Sequence, residues 1–136
     1  MTKKEFLRQY LDLSREIDAK LEEVSRYRAL ATKVTQTLAP DKVQCTQGNN
    51  FERVMATLID LKNQACEDVV VKLRSQAKII TAINRLQDHR YREVLQRRYI
   101  DGETWDEIAV HMHYDRRWVT KLHGEALERI ALESPY

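Results

Sequence analysis

The sequence predicts an all-α protein, in which a long antiparallel helical hairpin of coiled-coil type precedes a compact domain of three short helices. Three observations support this. The 136 residues are 32% charged and include only 3 Gly and 2 Pro, a composition typical of helix-rich proteins. Two long segments repeat apolar residues every three or four positions, and the last third of the chain contains three short helical patterns separated by turn residues.

The first long helix is predicted from a capping pair, Thr2 and Glu5, to the region before Pro40, without an intervening Gly or Pro. Its apolar residues alternate by three and four over about four heptads, interrupted only at Lys20, which indicates packing along another helix. The predicted seam consists of Phe6, Tyr10, Leu13, Ile17, Val24, Tyr27, Ala31, Val34 and Leu38.

Residues 39–50, with Pro40 and Gly48, are predicted to be a loop, and Asn50 to cap the second long helix. The buried stripe of this helix is predicted to be Phe51, Val54, Leu58, Leu61, Ala65, Val69, Leu73, Ile80, Ile83 and Leu86, with a change of spacing near Val69. Residues 1–87 therefore form one predicted hairpin.

Several apolar residues of the hairpin fall outside these seams: Leu7, Leu11, Ile59, Val70 and Ile79. They favour self-association, with a dimer as the simplest homo-oligomer. Packing onto the C-terminal helices, or scattered exposure, are the alternatives.

Residues 88–136 form the second predicted domain. Asp88 caps a helix that buries Tyr91, Val94, Leu95 and Tyr99, and Asp101-Gly102 form a turn. Thr104 and Glu107 open the next helix with capping-box spacing, and Asp115 caps a final helix with an apolar stripe of Val119, Leu122, Ala126, Leu127 and Ile130. The last two helices have helix-turn-helix spacing.

The histidines of this domain do not predict a metal site. His111 and His113 lie two residues apart and cannot share one helical face, and neither they nor His123 have partners at a known ligand spacing. His113 instead stands where helix-turn-helix turns commonly have glycine. The backbone there has positive φ, which histidine tolerates better than most residues.

The stretch "YREVLQRRYIDGETWDEIAVHMHYDRRWVTKLHGEALERI" resembles region four of bacterial sigma factors and the C-terminal domains of phage late transcription regulators of the ArpU/RinA kind. This resemblance implies that the final helix enters the major groove of double-stranded DNA. It also implies that four residues of this helix contact DNA: Arg116, Arg117, Thr120 and Lys121. These positions face outward when Val119 and Leu122 face the core.

Four further residues are candidate DNA contacts. Trp118 either lies against DNA sugars or covers the edge of the core, with packing slightly favoured. His123 is predicted to touch a phosphate or to be an exposed polar residue, and Arg97 and Arg98 to contact the DNA backbone or to form a solvated face.

Other classes of function are not indicated. The chain has no Gly-rich phosphate loop and no nucleophile elbow, so we expect no enzyme, catalytic residue or cofactor. Cys45 and Cys66 lack metal-site spacing and are expected to be reduced thiols. No apolar run suits a membrane span or a signal peptide, so we expect a cytoplasmic protein of a bacterial host cell.

The charge distribution keeps two alternatives open. Residues 88–136 carry 8 Lys and Arg against 10 Asp and Glu, which is unusual for a DNA-binding domain. One alternative is an adaptor that binds RNA polymerase or another protein without reading DNA sequence. The other is a phage DNA-packaging subunit that recognises DNA as part of a closed ring.

Overall fold

The computed structural model describes residues 1–38 and 45–131. Throughout these ranges the regular structure is helical, which confirms the predicted all-α class. The helices are α1 (Lys3–Leu38), α2 (Cys45–Asn84), α3 (His89–Leu95), α4 (Trp105–Met112) and α5 (Arg116–Arg129), with a π-helical segment at Gln96–Ile100 between α3 and α4.

The predicted loop at residues 39–50 is wrong in its second half. Residues 39–44 lie outside the described residues, but Cys45–Asn84 is one helix, so Asn50 lies within α2 and does not cap it. A glycine such as Gly48 costs a helix about 1 kcal/mol, which a long helix can absorb.

The chain divides into two compact units, and both long helices contribute to each. The first unit combines Met1–Ser14 with the chain from Leu73 onward, and the second is Arg15–Lys72. This division differs from the helix boundary near residue 87, where α2 ends and α3 begins. The separation of an oligomerisation region from a DNA-binding region at that point remains a prediction.

The core of the first unit is built from every helix. α3 packs against α5, and α4 packs against α5. The buried cluster comprises Leu7, Ile79, Ala82, Ile83, Leu86, Tyr91, Val94, Leu95, Tyr99, Ile108, Ala109, Val119, Leu122, Ala126 and Ile130. The three short helices thus share one core with the ends of the hairpin.

Two apolar residues predicted to lie outside the hairpin seam belong to this core. Leu7 and Ile79 are fully buried, and Leu11 lies beside Gly102, where an added Cβ would be 3.3 Å from Leu11 Cδ1. For Leu7 and Ile79, packing onto the C-terminal helices is correct, and both the favoured self-association and scattered exposure are wrong.

A buried amide joins the two long helices within the first unit. Gln76 Nε2 donates to Tyr10 O at 3.1 Å and to Ser14 Oγ at 2.8 Å. These bonds satisfy a polar side chain that the apolar periodicity did not identify.

In the second unit, α1 and α2 run antiparallel. Lys20 Nζ lies 3.4 Å from Asp68 Oδ2, and Lys72 Nζ lies 3.3 Å from Glu16 Oε2, so residue numbers rise along one helix as they fall along the other. This confirms the predicted hairpin.

The predicted stripe of α2 needs correction at three positions. Val54, Leu61 and Leu73 are exposed, at 36%, 39% and 49%. A straight α-helix rotates away from a heptad stripe by about 20° per repeat, so one stripe cannot stay buried over the whole helix.

Candidate nucleic-acid interface

α4 and α5 are joined by a tight turn with the predicted backbone geometry. Thr104 Oγ1 accepts from Glu107 N at 3.2 Å, and the Glu107 side chain accepts from Thr104 N at 3.3 Å, which completes the capping box of α4. His113 ends α4 in the left-handed region, with φ 59° and ψ 39°. Asp115 Oδ1 then accepts from Trp118 N at 2.7 Å and caps α5.

The first two turns of α5 separate a buried face from an exposed one. Val119 and Leu122 are buried in the core. The exposed positions are Arg116, Arg117, Thr120 and Lys121, as predicted from the spacing. Two arginines and a lysine therefore project from the N-terminal half of a capped helix.

These exposed side chains have few constraints within the protein. Arg116 Nη1 lies 3.5 Å from Asp106 Oδ1, but both side chains are well exposed, and such pairs contribute at most about 1 kcal/mol. The Thr120 hydroxyl donates to Arg117 O at 2.9 Å, which turns it back toward its own helix.

Trp118 lies at the border of the core. Its side chain is half-buried and packs against the cluster of the first unit. The Tyr114 ring stands edge-on to it at 6.3 Å between centroids, and Lys121 Nζ lies 5.1 Å from its ring centroid. Its packing matches the favoured prediction, and its half-exposed surface lies beside Lys121.

His123 is not available to a phosphate, so its prediction as a DNA contact is wrong, and so is its prediction as an exposed residue. The side chain is only 6% exposed. Its Nε2 lies 2.6 Å from the Tyr99 hydroxyl, and the Trp105 ring is edge-on at 4.7 Å. The spacing of Val119, His123 and Ala126 places His123 on the buried side of α5.

Burial lowers the pKa of His123 to about 4, and the positive charges of Lys4, Arg98 and Arg8 contribute in the same direction. The ring is therefore neutral at pH 7, and Nε2 can accept the hydrogen of the Tyr99 hydroxyl.

Arg97 and Arg98 are held by partners inside the first unit, and their contact with the DNA backbone remains a prediction. Arg97 Nε donates to Glu93 Oε2 at 2.8 Å, and its Nη1 donates to Glu103 Oε2 at 3.1 Å. Arg98 Nη1 donates to Glu103 O at 3.0 Å, and Arg98 Cζ lies 4.3 Å from the Trp105 ring centroid. Both guanidinium groups brace the segment that leads into α4.

A family model described as "Protein of unknown function (DUF1492)" matches residues 32–130, which is more than half of the chain. The chain belongs to this family. No curated protein and no solved structure matches it.

The DUF1492 match takes in α3, α4 and α5 completely, and so includes every residue of the candidate interface.

The matched region also contains Glu103, a buried carboxylate that sequence reasoning missed. Glu103 follows the turn glycine Gly102, where an acidic residue is usually exposed. Only the structure reveals that both Arg97 and His111 donate to it.

Burial alone would raise the pKa of Glu103, but the hydrogen bonds from His111 and Arg97 outweigh it, so the pKa is lowered. The charged carboxylate thus ties the segment before α4 to the far end of that helix.

Neither a metal centre nor a membrane span is found in the described part of the chain. Over residues 1–38 and 45–131, His, Cys, Asp and Glu side chains do not assemble in groups of three or more that could hold a metal ion. In the same ranges, no helix combines the length and apolar character needed to cross a membrane.

Proposed function

We propose that this DUF1492 protein is a sequence-specific DNA-binding transcriptional regulator, encoded by a phage or prophage, that reads the major groove with α5. The observation that carries the proposal is the outward projection of Arg116, Arg117 and Lys121 from the first turns of a capped α5. The resemblance to sigma region four and to ArpU/RinA regulators supports the same assignment.

The chemistry of the exposed face fits base reading. An α-helix fits the major groove, and its N-terminal half reaches the base edges in helix-turn-helix proteins. Arginine can donate two hydrogen bonds to guanine, whereas lysine or threonine can serve a base or a phosphate. The exposed ion pair between Arg116 and Asp106 is weak enough to be exchanged for such a contact.

The turn contributes rigidity rather than contacts. His113 fixes the change of direction, while Asp115 begins α5 at a defined residue. A reading helix held in this way loses little conformational entropy on binding.

Binding should be tested with the full chain, on duplexes selected from a random pool. Arg116→Ala and Arg117→Ala, made singly, are each expected to weaken binding about 5- to 100-fold, the range for losing one good base contact. The matched control is the pair Arg53→Ala and Arg74→Ala, which removes positive charge from exposed positions of α2. Unchanged affinity in folded Arg116 and Arg117 variants would overturn the assignment of α5.

A second candidate is an adaptor that binds RNA polymerase without reading DNA, which the excess of acidic over basic residues in 88–136 favours. An adaptor would select no sequence from the random pool and would retain its partner after the same Arg substitutions. A packaging subunit would instead form a closed ring of many copies, which light scattering distinguishes from a dimer.

A further inference from the structure

The second unit, Arg15–Lys72, has a small core for its length. Among its described residues, the apolar side chains that are buried are Ile17, Val24, Ala65 and Val69. The ion pairs that join its two helices are partly exposed and so contribute little. A helical pair with so few buried side chains gains little stability alone, because helices in proteins are stabilised mainly by packing of an apolar face.

α2 carries a second line of apolar residues in this unit, separate from the buried one. Met55, Ile59, Cys66 and Val70 are spaced by four, seven and four, which keeps them on one helical face. Ile59 and Val70 are 48% and 45% exposed, and Met55 and Cys66 are half-buried. This spacing is that of a helix with a second packing partner.

Leu21 of α1 lies on the same flank of the hairpin. Lys20 and Asp68 form their ion pair on one flank of the hairpin. Leu21 follows Lys20 by one residue, which is a rotation of about 100° around α1. This rotation places Leu21 on the opposite flank, where the second apolar line of α2 lies. Leu21 is 49% exposed. We name the surface formed by Leu21, Ile59, Cys66 and Val70 the second apolar face.

Charges of both signs border this face, and they are separated along its length. Asp18 and Glu22 share a shallow depression with Leu21, and Arg26, about one turn further along α1 than Glu22, lines the same depression. Farther along α1, Arg28 shares a groove with Ile59 and Lys62. A two-fold rotation that reverses the helix direction places the acidic end of one copy against the basic end of another.

We propose that the second apolar face binds the same face of a second copy of this chain, so that two hairpins form a four-helix bundle. Its self-complementary charge is what a two-fold symmetric interface requires. The flank of the hairpin that carries this face is large enough for a dimer interface: two adjacent helices of the length of residues 15–38 span about 36 by 20 Å, or about 700 Å², against about 800 Å² per partner in a standard interface. A dimer would also present two copies of α5, although that consequence rests on the proposed function.

The test is the mass of the full chain by light scattering, without DNA. The unsubstituted protein is expected to have the mass of two chains above about 1 μM, since interfaces of this size bind at micromolar concentration or below. Joint replacement by Ile59→Glu and Val70→Glu is expected to halve the mass. Val71→Glu is the matched control: Val71 is 59% exposed, but lies about 100° round the helix from Val70.

A charge exchange tests the two-fold arrangement. Asp18→Lys with Glu22→Lys is expected to weaken the dimer at least 10-fold, and adding Arg28→Glu with Lys62→Glu to restore it. Fluorescence of Trp105 and Trp118, which belong to the first unit, reports whether that unit remains folded.

Any of four outcomes would overturn the proposal. The unsubstituted chain could be monomeric, or the dimer could persist with Ile59→Glu and Val70→Glu. Val71→Glu could dissociate the dimer equally, or the charge exchange could fail to restore it. None of these outcomes bears on the binding of a single α5 to DNA, so the two proposals fail separately.

Discussion

At the scale of single residues, His123 is the clearest case of an ionisable group that serves the core. Tyr99 and Trp105 enclose it, and its Nε2 lies within hydrogen-bond distance of the Tyr99 hydroxyl. Protonation of His123 would therefore place a positive charge in a buried site.

The pH dependence of stability follows from the lowered pKa of His123, which is about 4. The unfolded histidine has a pKa near 6.5, so the unfolded chain binds more protons between these values and stability falls as pH decreases through this window. We expect a loss of about 2 kcal/mol between pH 7 and pH 5. Urea unfolding at both pH values measures it.

The comparison uses two variants. His123→Gln should lose most of this pH dependence, while His89→Gln, at an exposed position, should keep it. An equal pH dependence in the unsubstituted protein and the His123 variant would show that other groups cause it.

Residue exposure could be predicted where a side chain follows a simple helical period. Arg116, Arg117, Thr120 and Lys121 are exposed because the apolar residues of α5 define the opposite face. His123 follows the exposed Thr120 by about one turn, which predicts exposure, but it also follows Val119 by four residues, which places it on the buried face. Glu103 could not be placed, since its partners lie six and eight residues away across a turn.

At the scale of elements, Gly102 and Gly124 have opposite roles. Gly124 lies on the exposed face of α5, and an added Cβ would meet nothing within 4 Å. Gly102, before α4, has φ +72°, and an added Cβ would lie 3.3 Å from Leu11 Cδ1.

Alanine substitution should therefore change stability in opposite directions. Gly124→Ala is expected to raise the free energy of unfolding by about 1 kcal/mol, because glycine is unfavourable inside a helix. Gly102→Ala is expected to lower it by about 1–2 kcal/mol, because an L-residue is strained at positive φ. Thermal unfolding measures both.

A stabilised Gly102→Ala variant would contradict the described turn. A Gly124→Ala variant with lower stability would show that the exposed face of α5 is covered in the unbound protein.

Element boundaries were predictable wherever a side chain caps a helix. Asp88, Thr104 and Asp115 cap α3, α4 and α5 as predicted, and His113 adopts the predicted left-handed conformation. The start of α2 was not predictable, because residues with weak helix propensity can still be helical when the helix continues beyond them. The π-helical segment leaves no pattern in the apolar spacing.

At the scale of the whole molecule, little positive charge remains for DNA. The chain has a net charge of +2, and Arg97 and Arg98 are engaged with other groups of the first unit. If α5 reads DNA, the exposed cations in its N-terminal half are Arg116, Arg117 and Lys121.

The salt dependence of DNA binding should therefore be shallow. Even if all three cations contacted phosphates, the slope of the logarithm of affinity against the logarithm of salt concentration would be no steeper than about −2.7 for one bound chain and about −5.4 for two. Titration of a labelled duplex at several salt concentrations measures the slope, and Lys121→Ala should reduce it by about 1 per chain. A slope steeper than about −4.5 for one bound chain would mean that further cations reach the phosphates.

The overall architecture was predictable only in part, because periodicity identifies a buried face without its partner. The hairpin and the three short helices follow from spacing and caps. That Leu7 and Ile79 would complete the core of the C-terminal helices depends on contacts between residues distant in sequence.

The π-helical segment at Gln96–Ile100 bears on how chain length can vary among relatives. Asp101 N donates to Gln96 O at 3.0 Å, a bond across five residues, so the helix holds one residue more than an α-helical turn would. A relative that lacks one residue here can close an ordinary α-turn and keep α4 in place. Alignments of the family should therefore tolerate a single-residue gap at this position, and the deletion would remove an extra residue rather than a part of the core.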